Sequence, residues 1–264
     1  MQNPEKKYIY LCENSIEGIF SAVYQAWEGN HGHSHNKIEL IDANYNNELF
    51  SEYIEVETNL VKAEKVLRTI RQKVSEEFCE QMMMTSLSYD NRKADIIYRS
   101  IILGLYMGKR VLAHLADENI SMVEKLTQNI TKEVLHFYGF LRFEELKNGL
   151  LLGRIKPKNN LIRLLGDHFS DRFPEETFLI ADTRRSSFFI HTPEHSEYFT
   201  YPGFDFMNAL PSSSEEEKYY QELWCKFVDT IAIKPRANEK LQKQMLPLRF
   251  RDYMPEFSTS RNFF

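Results

Sequence analysis

Glu133 and His136 stand three residues apart in the run Glu133–Phe143, EVLHFYGFLRF. On a helix that spacing puts both on one face. A carboxylate beside an imidazole suits proton transfer or metal ligation. Arg142 and Glu144 follow, on the same side of the strand expected next. These residues would serve equally well as a polar network tying helix to strand, and an ExxH pair alone needs further ligands from elsewhere to hold a metal. A second group is Asp167, His168, Asp171 and Arg172. Its members pair four apart, so an acidic and a basic stripe run side by side to a helix end marked by Pro174. There His168 could act as general acid or base while Arg172 grips a phosphate; capping and ion pairing would use the same residues. A third group, Asp182, Arg184 and Arg185, sits at a hairpin tip, where paired arginines suit bidentate phosphate contacts and where exposed charge is also common decoration.

The C-terminal stretch carries Lys226, Lys234, Arg236, Lys240, Lys243, Arg249 and Arg251. From Lys226 to Phe264 there are eight Lys or Arg against four Asp or Glu, +4 in a chain whose net charge is -5. The whole-chain charge opposes a general grip on polyanions, whereas the asymmetry points to a local anion-binding face. Phe227, Phe250, Tyr253 and Phe257 could stack on bases there or anchor the segment to the core. His31, His33 and His35 alternate in a loop, a pattern that reads better as a solvated turn than as a metal site. Cys12, Cys79 and Cys225 are far apart, with no CxxC, which argues against a disulfide scaffold, a zinc ribbon or a self-contained iron–sulfur cluster. GxGxxG, GxxxxGK[ST], HExxH and GxSxG are missing. No resident cofactor or metal is predicted.

These residues need elements to hold them. Lys7–Leu11 reads as a strand, Asn14-Ser15 as a helix cap, Gly29 as that helix's stop, and Ile38–Ile41 as a second strand, together a βαβ-like unit. Asn59–Glu80, Asp95–Leu115 and Ser121–Tyr138 have helical periodicity. Phe140–Leu146 and Leu150–Ile155 flank Asn148-Gly149, a hairpin signal. Asn160–Phe169 reads as a helix, and Phe178–Asp182 with Ser187–His191 as a second hairpin. Thr192–Ser214 reads as a loop, Glu215–Thr230 and Asn238–Met245 as helices, and Ser258–Phe264 as a mobile tail. The expected class is α+β: a mostly helical chain with an N-terminal βαβ-like unit and a central antiparallel ββαββ element. The expected division is an α/β segment over 1–90, packed on a core domain over 91–264. No stretch approaches 18 apolar residues and no signal peptide precedes the first strand, so a cytoplasmic location is expected.

EVLHFYGFLRF, Ile155-Lys156-Pro157, Asp167–Pro174 (DHFSDRFP), Ile180–Arg184 (IADTR), Leu223–Asn238 (LWCKFVDTIAIKPRAN) and Gln244–Phe257 (QMLPLRFRDYMPEF) resemble strings of a bacterial family of DNA-metabolism and DNA-repair proteins built on a domain of unknown function. The resemblance covers nearly the whole chain. It implies association with DNA and a radical-SAM protein encoded nearby as partner, and the shared domain also occurs fused to uracil-DNA-glycosylase-like domains. On this reading Arg142, Arg172, Arg184, Arg185, Arg236, Asn238 and Arg249 would contact nucleic acid. Two other readings stay open. One is a stand-alone enzyme on a nucleic-acid base or backbone, with Glu133, His136, His168 and Asp171 as acid–base groups. The other is an assembly module that never touches DNA.

Overall fold

Ser15 starts the first helix: its Oγ accepts the Gly18 amide at 2.9 Å, satisfying a donor that every helix start leaves open. The apolar strand before it then has a helix to pack against. The structure, a computed structural model, describes residues 6–41, 48–201 and 210–257. The chain forms two compact units, residues 1–131 and 132–264. The expected tail at Ser258–Phe264, and part of the expected loop after Thr192, lie outside the described residues.

In the first unit β1 (Lys7–Cys12), α1 (Ile16–Glu28) and β2 (Asn36–Leu40) make the expected βαβ unit, with β1 and β2 parallel. A third strand, β3 (Ser51–Glu55), pairs with the other side of β1, also parallel. Its sequence, SEYIE, has no apolar run, because an edge strand with no fully buried residue needs none. Helices α2 (Leu60–Lys73), α3 (Glu76–Ser86), α4 (Lys93–Met107) and the first turns of α5 (Glu118–Phe140) complete the unit. Phe20, Ile38, Ile70, Phe78 and Ile97 meet in its core. The single helix expected over Asn59–Glu80 is two: Val74 leaves helical geometry at φ -114, ψ -85, and Ser75 caps α3 by accepting the Phe78 amide at 3.1 Å. The Lys93 ammonium is buried under the end of α3, donating to the Ser86 and Ser88 carbonyls at 2.6 and 2.7 Å.

The second unit is built on a sheet ordered β4 (Phe143–Glu145), β5 (Leu151–Ile155), β6 (Phe178–Asp182), β7 (Ser187–Thr192), β8 (His195–Thr200). Both expected hairpins are present and antiparallel. At the first turn Gly149 takes φ +79 and donates to the Leu146 carbonyl at 2.8 Å. The sheet as a whole is mixed, not antiparallel throughout: helix α6 (Ile162–Arg172) carries the chain back between the hairpins, so β5 and β6 run parallel. Strand β8, HSEYFT, falls where a loop was expected; it is a polar edge strand on β7. After it come α7 (Glu215–Ile231) and α8 (Glu239–Met245). Among the described residues no helix is long and apolar enough to cross a membrane.

Helix α6 lies close over β7 because Gly166 has no side chain; a Cβ there would run into the ring of Phe189, itself buried. Gly166→Ala is therefore expected to destabilise by about 1–3 kcal/mol through overpacking. Urea unfolding monitored by circular dichroism measures this, and an unchanged midpoint would show that the helix can lift away without loss.

Candidate functional site

Glu133, on the last turns of α5, is 1% exposed. Its Oε1 accepts the Lys158 amide at 3.0 Å, and its Oε2 accepts the Asn159 amide at 3.0 Å and the Asn159 side-chain amide at 2.7 Å. Arg249 Nη1 lies 2.9 Å from Oε1. The carboxylate thus fastens the loop after β5 to helix α5 and draws in the C-terminal segment. Arg185, in the turn of the β6–β7 hairpin, fastens the same loop from the other side. Its Nη1 donates to the Pro157 carbonyl at 3.2 Å and to Asp182 Oδ2 at 2.9 Å, and its Nη2 donates to the Lys158 carbonyl. Asp182 is wholly buried and also accepts the Arg184 amide at 2.9 Å. Burial pushes its carboxyl above the ordinary aspartate value, against the opposing pull of Arg185. A last tie runs from Tyr253 to Thr183, hydroxyl to hydroxyl at 3.1 Å, with Thr183 donating to the Ile155 carbonyl at 3.2 Å.

Glu133, Arg249, Asp182, Arg184 and Arg185 therefore meet at one loop edge, joined bond by bond through the backbone of 157–159. Lys156, Lys158 and Arg184 are exposed there, so five cations gather over two buried carboxylates. Of these groups, Asn159, Lys156 and Lys158 went unremarked as site residues in the sequence. The basic loop Ile155-Lys156-Pro157-Lys158 was their only signal.

The remaining candidates lie elsewhere in the network or outside it. Arg142 does not meet Glu144. It donates to Glu256 Oε1 at 3.1 Å and to the Gly139 carbonyl at 3.1 Å, while Glu144 pairs with Arg154 and accepts from Ser213 Oγ at 3.1 Å. His136 lies against Phe140 and the edge of Phe250, with ring centroids 5.5 and 5.0 Å away, and its Nδ1 is buried with no hydrogen-bond partner among the described residues. His168 stacks on Tyr138 at 3.6 Å. Burial, with Asp171 adding to it, raises the Asp167 carboxyl above its ordinary value; burial and then Asp167 raise the Tyr138 phenol. Asp171 and Arg172 are exposed, Arg172 lying 5.5 Å from the Phe173 ring. Asn238 caps α8 by accepting the Leu241 amide at 3.0 Å, and Arg236 is exposed just before it.

In the first unit the histidine loop is tied down locally. His31 stacks on Tyr8 at 3.7 Å and His33 Nδ1 lies 2.9 Å from the Tyr98 hydroxyl. Among the described residues no three His, Cys, Asp or Glu side chains form a metal-binding group. Burial pushes the Cys12 thiol up to about 12, so it stays protonated at neutral pH.

A family model described as a domain of unknown function, DUF4130, matches residues 91–256. No curated protein matches the chain. Among solved structures it is similar to a DHH domain whose protein is described as a member of a family of ribosomal proteins. The likeness has 9% identity and a TM-score of 0.34, over 71% of this chain and 74% of that one.

Glu133→Ala is expected to lower stability by roughly 3 kcal/mol, since two loop amides and a guanidinium lose their acceptor at a buried point. Guanidinium denaturation reads this; a loss below about 1 kcal/mol would mean the loop holds without the carboxylate. Asp167 gives a pH signature. Its folded pKa lies above the unfolded value, so what it adds to stability is present at low pH and disappears as pH rises through the folded value. Asp167→Asn should therefore gain thermal stability over the parent at about pH 7 and not at about pH 3. A gain equal at both pH values would assign the effect to something other than charge.

Proposed function

The chain belongs to the DUF4130 family of domains of unknown function, and from that premise we propose that it is a factor of DNA metabolism that holds a nucleic-acid phosphate chain against the loop edge of its mixed sheet. The observation that carries this reading is the convergence of Lys156, Lys158, Arg184, Arg185 and Arg249 at one edge, bonded together through Glu133, Asp182 and the 157–159 backbone. Buried carboxylates that fix cations in advance spare a binding site the ordering of long side chains. The cations divide the work. Arg185 and Arg249 are pinned inward and lend charge; Arg184 and Lys156 project outward and would make the phosphate contacts. Arg236 is exposed as well, whereas Arg172 closes α6 near the start of β6, at the opposite end of the strands from this edge, and takes no part in this reading. Contacts of this type position a strand without reading its sequence, so base choice would fall to a partner. The radical-SAM protein implied by the resemblance in the sequence is the partner this reading takes.

A second reading, an acid–base enzyme acting on a base or on the backbone, is favoured by one observation: Asp167 and Tyr138 both have raised pKa values beside the His168 stack. It predicts that the purified chain alone converts a modified oligonucleotide and that His168→Ala abolishes turnover with the unfolding midpoint unchanged.

For the leading reading, Arg184→Ala and Lys156→Ala should each weaken binding of a fluorescein-labelled oligonucleotide several-fold, without loss of stability. Each should reduce the slope of log affinity against log salt by about one. Anisotropy titrations at several salt concentrations measure both. Affinity too weak to detect at low salt, or affinity indifferent to both substitutions, removes this edge as the contact. Arg249→Ala is the wrong probe, because it strands the buried Glu133 charge.

A further inference from the structure

Helix α7 has two apolar faces. One carries Cys225, buried within the chain's own packing. Facing the other way are Tyr219, Leu223, Phe227 and Ile231, each four residues beyond the last, with Tyr220 and Trp224 beside them. All six are exposed, from 40% at Leu223 to 62% at Tyr220. A single exposed aromatic is ordinary; six on one helical stripe mark an association surface. Half-exposed side chains of this size leave on the order of 100 Å² each uncovered, a stripe of roughly 600 Å². That approaches the ~800 Å² each partner contributes to a standard interface.

We propose that this stripe is the interface between two copies of the chain, their α7 helices packed antiparallel about a two-fold axis at Leu223 and Trp224. The charges choose the occupant. Glu215, Glu216, Glu217 and Glu222 line the first turns of the helix, which sets the surface against phosphate chains and anionic lipid. A second copy fits. On one flank of the stripe Glu222 and Lys226 stand one turn apart, both exposed. Antiparallel packing about Leu223 and Trp224 brings Tyr219 opposite Phe227 of the second copy and Lys226 opposite Glu222 of the second copy, each pairing occurring twice by symmetry. A parallel two-fold arrangement would instead carry this flank to opposite sides of the pair, leaving Glu222 and Lys226 without each other across the interface. The interface does not depend on the nucleic-acid reading.

Sedimentation velocity on the full chain from about 1 to about 100 µM tests it, with a monomer–dimer equilibrium expected in that range. Phe227→Glu should give monomer throughout, with unchanged far-ultraviolet circular dichroism because the side chain is exposed. Glu222→Lys and Lys226→Glu should each weaken self-association about tenfold by setting like charges opposite one another. Mixing these two variants should restore a dimer, because each chain then supplies the charge the other lacks. That rescue acts between chains, so it separates the interface from any effect on the helix itself. A parent chain that stays monomeric to the top of the range, a dimer that survives Phe227→Glu, or a mixture no more associated than its components would overturn the proposal.

Discussion

Taking the Glu133 carboxylate out of water is unfavourable by several kcal/mol unless its oxygens are fully engaged. Here three N–H donors and a guanidinium engage them. That requirement governs the second unit. It holds the loop after β5 against α5 and brings the segment around Arg249 and Phe250 onto the same helix, where Phe250 meets Phe137 and Phe140. Asp182 imposes the same demand from the sheet side, and Arg185 answers it while clasping the loop from beneath. Two buried carboxylates thus bind four segments of the chain into one edge.

That arrangement changes what the cations can do. A chain of net charge -5 has no surplus of positive surface, so a basic face has to be concentrated by the fold. Arginines turned inward toward carboxylates and carbonyls lend field and shape, while their exposed neighbours remain available to a ligand. Candidate residues that look alike in sequence therefore carry different work: Arg184 reaches solvent, Arg185 is a clasp, Asn238 is a helix cap, and Arg142 is held by Glu256.

The apolar side chains divide in the same way. In the first unit the helices spend their apolar faces on one core. Helix α6 of the second unit sits so close to the sheet that only glycine fits at position 166. Helix α7, by contrast, buries one narrow face and leaves a broader one uncovered. Apolar surface in that amount is costly in water for a finished monomer, and its acidic flank restricts what can cover it.

Sequence alone determined the local elements, because their causes lie within a few residues of one another. Ser15, Ser214 and Asn238 each cap a helix by accepting an amide three residues on. Asn148-Gly149 turns a hairpin because glycine takes positive φ freely. Helical and strand periods therefore foretold the α+β class, the βαβ opening and both hairpins. Strands β3 and β8 stayed hidden because edge strands with one partner need little apolar character, and the break at Val74-Ser75 because both flanking helices share one apolar period. The parallel pairing of β5 with β6 followed only from where α6 crosses. Charges that pair within a turn, such as Asp182 with Arg185, are neighbours in sequence, but the long-range partners were decided by tertiary structure alone: Arg142 and Glu256 meet across 114 residues of chain. A charge whose partner is distant in the chain finds it by position in space, and the pattern of neighbours in sequence holds no record of that position.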